Sequence, residues 1–198
     1  PPMLRSLVGS EMCIRDSEIA VPRRYADFFV KKISEIGKKY SLVPYGTEAL
    51  GVMRIEKGHA AGNELNGQTT AHNLGLGKMV SKLNDCVGNT MSERDELNKD
   101  DALKLVGFIP TNKKQQLVAG SHFIEKGQIA NLENDQGWMS SVAFSPMLNH
   151  SIGLGYIKRG NQRYGEKVNA VNPLKNEITE VEIHSPHFYD PEGELLRG

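Results

Sequence analysis

The sequence has little that could bridge chains covalently or hold a metal. Only two of its 198 residues are cysteine, Cys13 and Cys86. That is too few for a disulfide framework, and there is no CxxC or Cys/His cluster. A reducing compartment is the simplest reading, with the cytoplasm as the expected location. No apolar run approaches the roughly 20 residues of a membrane span, so no membrane partner is expected. Net charge is also lacking, with 24 Lys and Arg against 24 Asp and Glu. Non-specific nucleic-acid binding needs a basic excess, so no nucleic-acid partner is expected. The balance still leaves room for a locally basic pocket for a small anion. The histidines at 59, 72, 122, 150, 184 and 187 show neither HxH nor HExxH spacing, and no metal site is expected. Internal repeats and low-complexity tracts are absent. What is present is an ordinary globular composition, 38% hydrophobic and 24% charged, with enough apolar mass for a core.

The first regular text begins late. Residues 6–17, SLVGSEMCIRDS, have no helical or strand period. Back-translated, they resemble a transposase adapter used in sequencing-library preparation. Residues 1–17 are therefore expected to be foreign to the fold, with Glu18 the first biological residue and more of the protein lying upstream. On that reading Cys86 is the one free thiol, a buried structural group and not a nucleophile.

From Glu18 the pattern becomes legible. EIAVP (18–22) reads as a strand end. Residues 23–37 read as a helix with Tyr25, Phe29, Ile33 and Ile36 on one stripe and Gly37 as its stop. LVPYG (42–46) is a connector. Residues 47–58 read as a second helix, capped by Thr47, with Leu50 and Met53 inward and Gly58 ending it. Residues 63–88 are turn-rich around Asn66-Gly67, with 74–83 strand-like. Residues 89–102 are polar, a helix or a linker. Six short strands follow, at 103–110, 116–124, 137–145, 151–157, 166–171 and 178–184, and read as a small barrel or sandwich. The glycine pairs at 75/77 and 153/155 open no helix and are not phosphate loops; glycines in strands mark bulges or close backbone approach. Glu18 is a lone carboxylate at the start of an apolar strand. The stem of Arg54 can pass over the Leu50 row. Taken alone, these two read as a rim charge and a surface arginine, and the residues name no reaction.

Several stretches carry a resemblance. EIAVPRRYADFFVKKI, YGTEALGVMRIEKGHAAGNEL and TTAHNLGLGKMV resemble the second half of the folate-binding aminomethyltransferase domain. That domain occurs in the glycine-cleavage T-protein and in alpha subunits of heterotetrameric sarcosine oxidases. LVGFIP, GWMSSVAFSPMLNHSIGLGYIKRG and GEKVNAV resemble the C-terminal barrel that follows it. Within the family, GTEALGVMRIEKGH, LGLGKM and SPHFYDPEGELLRG are most similar to the alpha subunits. Two positions depart from the family: Cys86 and Asn89 stand where an aromatic and a basic residue are usual, which leaves both without an assigned role.

The resemblance implies an α+β fold: the second half of an aminomethyltransferase-type domain (18–95), then a small C-terminal β-barrel (96–198). It implies tetrahydrofolate as ligand, with Glu18 at the pterin ring and Arg54 near the folate tail. A carboxylate suits a ring amino group and its adjacent N–H, and a guanidinium suits the glutamyl carboxylate. The complete enzyme would oxidise an N-methyl amine using FAD, FMN and NAD, with beta, gamma and delta partner subunits, and pass the carbon to tetrahydrofolate as 5,10-methylenetetrahydrofolate. The family's catalytic aspartate is not among these residues, so the stretch alone is expected to be inactive. Other readings are an aminomethyltransferase of glycine cleavage, a dimethylglycine dehydrogenase-like protein, or a non-catalytic folate-binding module.

Overall fold

A computed structural model describes residues 19–80 and 87–197. Glu18, Cys13, Cys86 and the expected foreign segment lie outside the described residues. The chain divides into two compact units, Pro1–Tyr45 and Gly46–Gly198.

In the first unit, residues 19–22 are irregular where a strand end was expected. A 3-10 turn at Arg23–Tyr25 leads into α1, Ala26–Gly37. The helix does not stop at Gly37. A further 3-10 turn, Lys38–Tyr40, carries it to Ser41, which takes the left-handed conformation at φ 57°. The Leu42 N–H then returns to the Gly37 carbonyl at 3.0 Å, a closure that satisfies an orphan carbonyl. Gly37 is needed there because a Cβ would sit 2.4 Å from the Leu42 side chain.

In the second unit, α2 spans Thr47–Lys57. Gly46, not Thr47, occupies its N-cap, and no side chain caps it. Gly58 ends it as expected, left-handed at φ 75°. Leu50 and Met53 are exposed, while Ile55 and Glu56 are buried. The C-terminal end of α2 docks, with two polar side chains among the docking residues, which an apolar-stripe rule assigns outward. Asn66-Gly67 makes the expected turn, with the Thr69 N–H on the Asn66 carbonyl and the Gln68 N–H on its Oδ1. Residues 74–80 are turns and a 3-10 segment, not a strand. Asn73 explains this: its Oδ1 accepts from the Thr70 N–H and hydroxyl, each at 2.8 Å, and its Nδ2 donates to the Leu103 carbonyl at 2.7 Å. Such local side-chain bonds give the backbone an alternative to a ladder. The polar stretch that follows holds a short helix, α3, Asn89–Ser92, and Glu194–Arg197 form α4.

The six strands are β1 Leu103–Pro110, β2 His122–Ile124, β3 Asp135–Ser145, β4 His150–Lys158, β5 Lys167–Asn172 and β6 Glu177–His184. They close into an antiparallel barrel in the order β1-β4-β3-β2-β5-β6, which leaves no free sheet edge. β1 pairs with β4 on one side and β6 on the other, so Phe108 lies opposite both Gly153 and Ile183. Alternate residues fill the interior: Val106, Phe108, Phe123, Met139, Ile157, Val168, Val181 and Ile183. The Phe108 and Phe123 rings stack at 4.0 Å. Gly155 makes this possible, because a Cβ there would lie 3.0 Å from the Phe108 ring and 2.6 Å from the Trp138 carbonyl. The glycines of GLG are thus close-approach residues. The other face of β1 and β4 carries Leu105, Ile152, Leu154 and Tyr156, and Ile55, Ala60 and Leu74 pack on it.

Candidate functional site

Glu64 is the residue around which the 46–80 segment meets the barrel. It follows the small-residue run Ala60-Ala61-Gly62, which lets the backbone lie close to the sheet. Its side chain is fully buried. One carboxylate oxygen accepts from the Ser140 hydroxyl at 2.5 Å and the Ser141 hydroxyl at 2.6 Å. The other accepts from Arg54 Nη1 at 2.8 Å and the Ala61 N–H at 3.0 Å. Burial pushes the carboxyl up, but the two hydroxyls, the amide and the Arg54 charge outweigh it and hold Glu64 below the usual carboxylate range.

A bulge makes this geometry possible. β3 and β4 lose register between Met139 and Ser141. In a regular strand, consecutive side chains point to opposite faces. The extra residue breaks the alternation and re-aims a side chain, so Ser140 and Ser141 both reach Glu64. The phenol of Tyr156, on β4, donates to the Glu64 carbonyl at 2.7 Å. Burial and the nearby Glu64 charge, against a hydrogen bond with Thr69, push that phenol up to about 12.

Arg54 completes the cluster from α2. Besides Glu64, it donates from Nη2 to the Ser141 hydroxyl at 2.7 Å and from Nη1 to the His59 carbonyl at 3.4 Å. Its guanidinium is tied into the protein, and no contact to its Nε–H is seen among the described residues. Sequence reasoning singled out Arg54 and missed its partner Glu64. The available signal was a lone acid in a run of small residues. Glu18 cannot be related to Arg54 because it lies outside the described residues.

Two further ties flank the cluster. Glu56, also buried, accepts from the Ser145 hydroxyl at 2.5 Å, and its carbonyl accepts from the Phe188 and Tyr189 N–H groups. Lys57 pairs with Asp190 at 2.9 Å. Beside α2 runs a groove of about 670 Å³ with apolar walls that include Ala49, Val52, Met53, Met147 and Tyr189. A carboxylate with all its partners in place positions other groups; it is not a free acid or base. The cluster therefore fixes α2 and this groove against the barrel. Among the described residues no group of three or more His, Cys, Asp and Glu could hold a metal ion, and no helix is long and apolar enough to cross a membrane.

Known proteins share this architecture. The GCVT N-terminal domain model matches residues 17–84, and the glycine cleavage T-protein C-terminal barrel domain model matches residues 104–190. The alpha subunit of sarcosine oxidase from Rhizobium meliloti (strain 1021) is 41% identical over 180 residues, 90% of this chain and 18% of that protein. The corresponding subunit from Corynebacterium sp. (strain U-96) is 30% identical over 184 residues, 91% of this chain and 19% of that protein. An aminomethyltransferase from Thermoanaerobacter sp. (strain X514) is 28% identical over 182 residues, 87% of this chain and 45% of that protein. The chain thus spans less than half the length of each. A crystal structure of the glycine cleavage system aminomethyltransferase T from Bartonella henselae has the same fold, with a TM-score of 0.69 at 20% identity over 87% of this chain and 46% of that one. With the barrel and its preceding segment both matched in order, the chain belongs to the glycine cleavage T-protein family.

Proposed function

We propose that this chain is the folate-binding part of a sarcosine oxidase alpha subunit. The observation that carries the reading is the 41% identity with such a subunit over 180 residues. The aminomethyltransferase reading has support from relatives at 28–30% identity, and it ranks second on that difference.

The groove beside α2 offers apolar walls to a flat ring system, and about 670 Å³ of space. On this reading Glu18 holds the pterin edge through paired hydrogen bonds. Arg54 borders the folate tail with the guanidinium edge that Glu64, Ser141 and His59 leave over. Tetrahydrofolate supplies the nitrogens that accept a one-carbon unit at the formaldehyde level. The chain's own part is to orient those nitrogens and keep water from the carbon. FAD, FMN and NAD, the beta, gamma and delta subunits and a cytoplasmic setting belong to the complete enzyme under this reading.

The test is folate binding to the complete enzyme, measured by calorimetry. Glu18→Gln removes one charged acceptor and is expected to weaken binding by roughly 1–3 kcal/mol. Unchanged affinity would sink the assignment of Glu18. Failure of the unmodified enzyme to bind tetrahydrofolate would sink the whole reading.

A further inference from the structure

A second cavity in the second unit shares only His59 with the groove beside α2. It holds about 700 Å³ and is bounded by the end of α2, the 72–76 turns, β1 and the segment after β6. Three of the chain's six histidines, His59, His72 and His187, line it together with Lys104. They are distant in sequence, so the fold has gathered them. Among the described residues the lining contains no carboxylate, in a chain where Asp and Glu number 24.

Three of these side chains are also held in place. Lys104 Nζ donates to the His72 carbonyl at 3.2 Å, and among the described residues no carboxylate pairs with it. His187 Nδ1 lies 2.9 Å from the Lys57 carbonyl. A carbonyl can only accept, so Nδ1 carries the proton and Nε2 is left for another partner. The His72 ring packs over Gly77, where a Cβ would come within 2.4 Å of Nδ1. Between these polar groups lies an apolar floor that includes Leu65, Leu74 and Leu105. An ammonium that pairs with no carboxylate among the described residues, beside three imidazoles and an apolar floor, is the complement of an organic anion.

We propose that this cavity binds a small organic carboxylate: the anionic head at Lys104, beside the imidazoles, and the apolar body on the leucines. The proposal rests on this cavity, which shares only His59 with the groove of the folate reading.

The experiment is a titration of the full chain with benzoate, followed by the imidazole proton resonances in NMR. Benzoate is expected to shift His59, His72 and His187 saturably and to leave His122, His150 and His184 in place. Inorganic phosphate, which has no apolar body, should bind about tenfold more weakly. Benzamide, the neutral isostere, should shift none. Lys104→Gln should weaken benzoate binding about fivefold, with the barrel methyl spectrum unchanged. Equal shifts at all six histidines, benzamide matching benzoate, phosphate binding as tightly as benzoate, or unaltered affinity in Lys104→Gln would overturn the proposal.

Discussion

Glu64 offers the sharpest test of how the 46–80 segment is held. Glu64→Ala deletes a buried carboxylate with four donors around it: two hydroxyls, one amide and one guanidinium. Arg54, only 20% exposed, keeps its charge and loses its counter-ion. Breaking a buried pair from one side costs about 3–5 kcal/mol, because the surviving charge stays desolvated. Each further orphaned donor costs about 1–3 kcal/mol unless water reaches it. Water can enter beside a partly exposed arginine, so the lower figure governs, and the expected loss is about 3–5 kcal/mol. A domain of this size has about 5–15 kcal/mol in all, so the variant should be near its folding threshold. The assay is equilibrium urea unfolding followed by Trp138, the single tryptophan, whose ring lies 5.4 Å from that of Tyr156. The double variant Arg54→Met/Glu64→Leu removes both charges and should be more stable than Glu64→Ala alone. A loss under about 1 kcal/mol in Glu64→Ala would refute the reasoning, as would additivity of the two sites within about 0.5 kcal/mol in a full cycle.

Two further outcomes follow from the same geometry. Glu64 is held below its ordinary range, so it binds its proton more weakly folded than unfolded. Its contribution is therefore present above the unfolded value of about 4.3 and is lost as pH falls through the lower folded value; a melting-temperature profile should be less acid-sensitive in Glu64→Gln, and parallel profiles would count against the tie. Gly137, at φ 144°, leaves a Cβ only 1.9 Å from the Tyr156 carbonyl, whereas Gly165, at φ 86°, faces open space. Gly137→Ala should cost at least about 3 kcal/mol from strain and overpacking combined, against about 1–2 kcal/mol for Gly165→Ala, and equal urea midpoints would contradict the register drawn for β3 and β4.

The barrel was legible because its strands carry their own punctuation. β1 spans the same residues in sequence and structure, and β3 to β6 differ by one or two at their ends. β2 is shorter than its apolar text because Gly120 turns at φ 81°. The 74–80 stretch misled because Leu74, Leu76 and Val80 have strand-like spacing, while the decisive group is the Asn73 side chain, which bonds its neighbours' backbone. The burial of α2 misled for a different reason. Arg54 and Glu56 face the barrel because Ser141 and Ser145 wait there, and no local pattern reports a partner so far along the chain. The bulge that turns Ser140 and Ser141 together is equally silent in the text SSVAF.

The strand order also dictates when the chain can become a barrel. β1 is made first but needs β4 and β6 as neighbours. Its hydrogen-bonding groups stay open until the last strand has left the ribosome. Until β3 has followed, Glu64 has no serine hydroxyls to meet and keeps its water. Closure of β1 on β6 and dehydration of the carboxylate are thus late, nonlocal events, and pairings of this kind are slow. The nascent chain has to remain soluble throughout the wait, with Leu103, Leu105 and Val106 of an unpaired β1 exposed to any other strand that comes within reach.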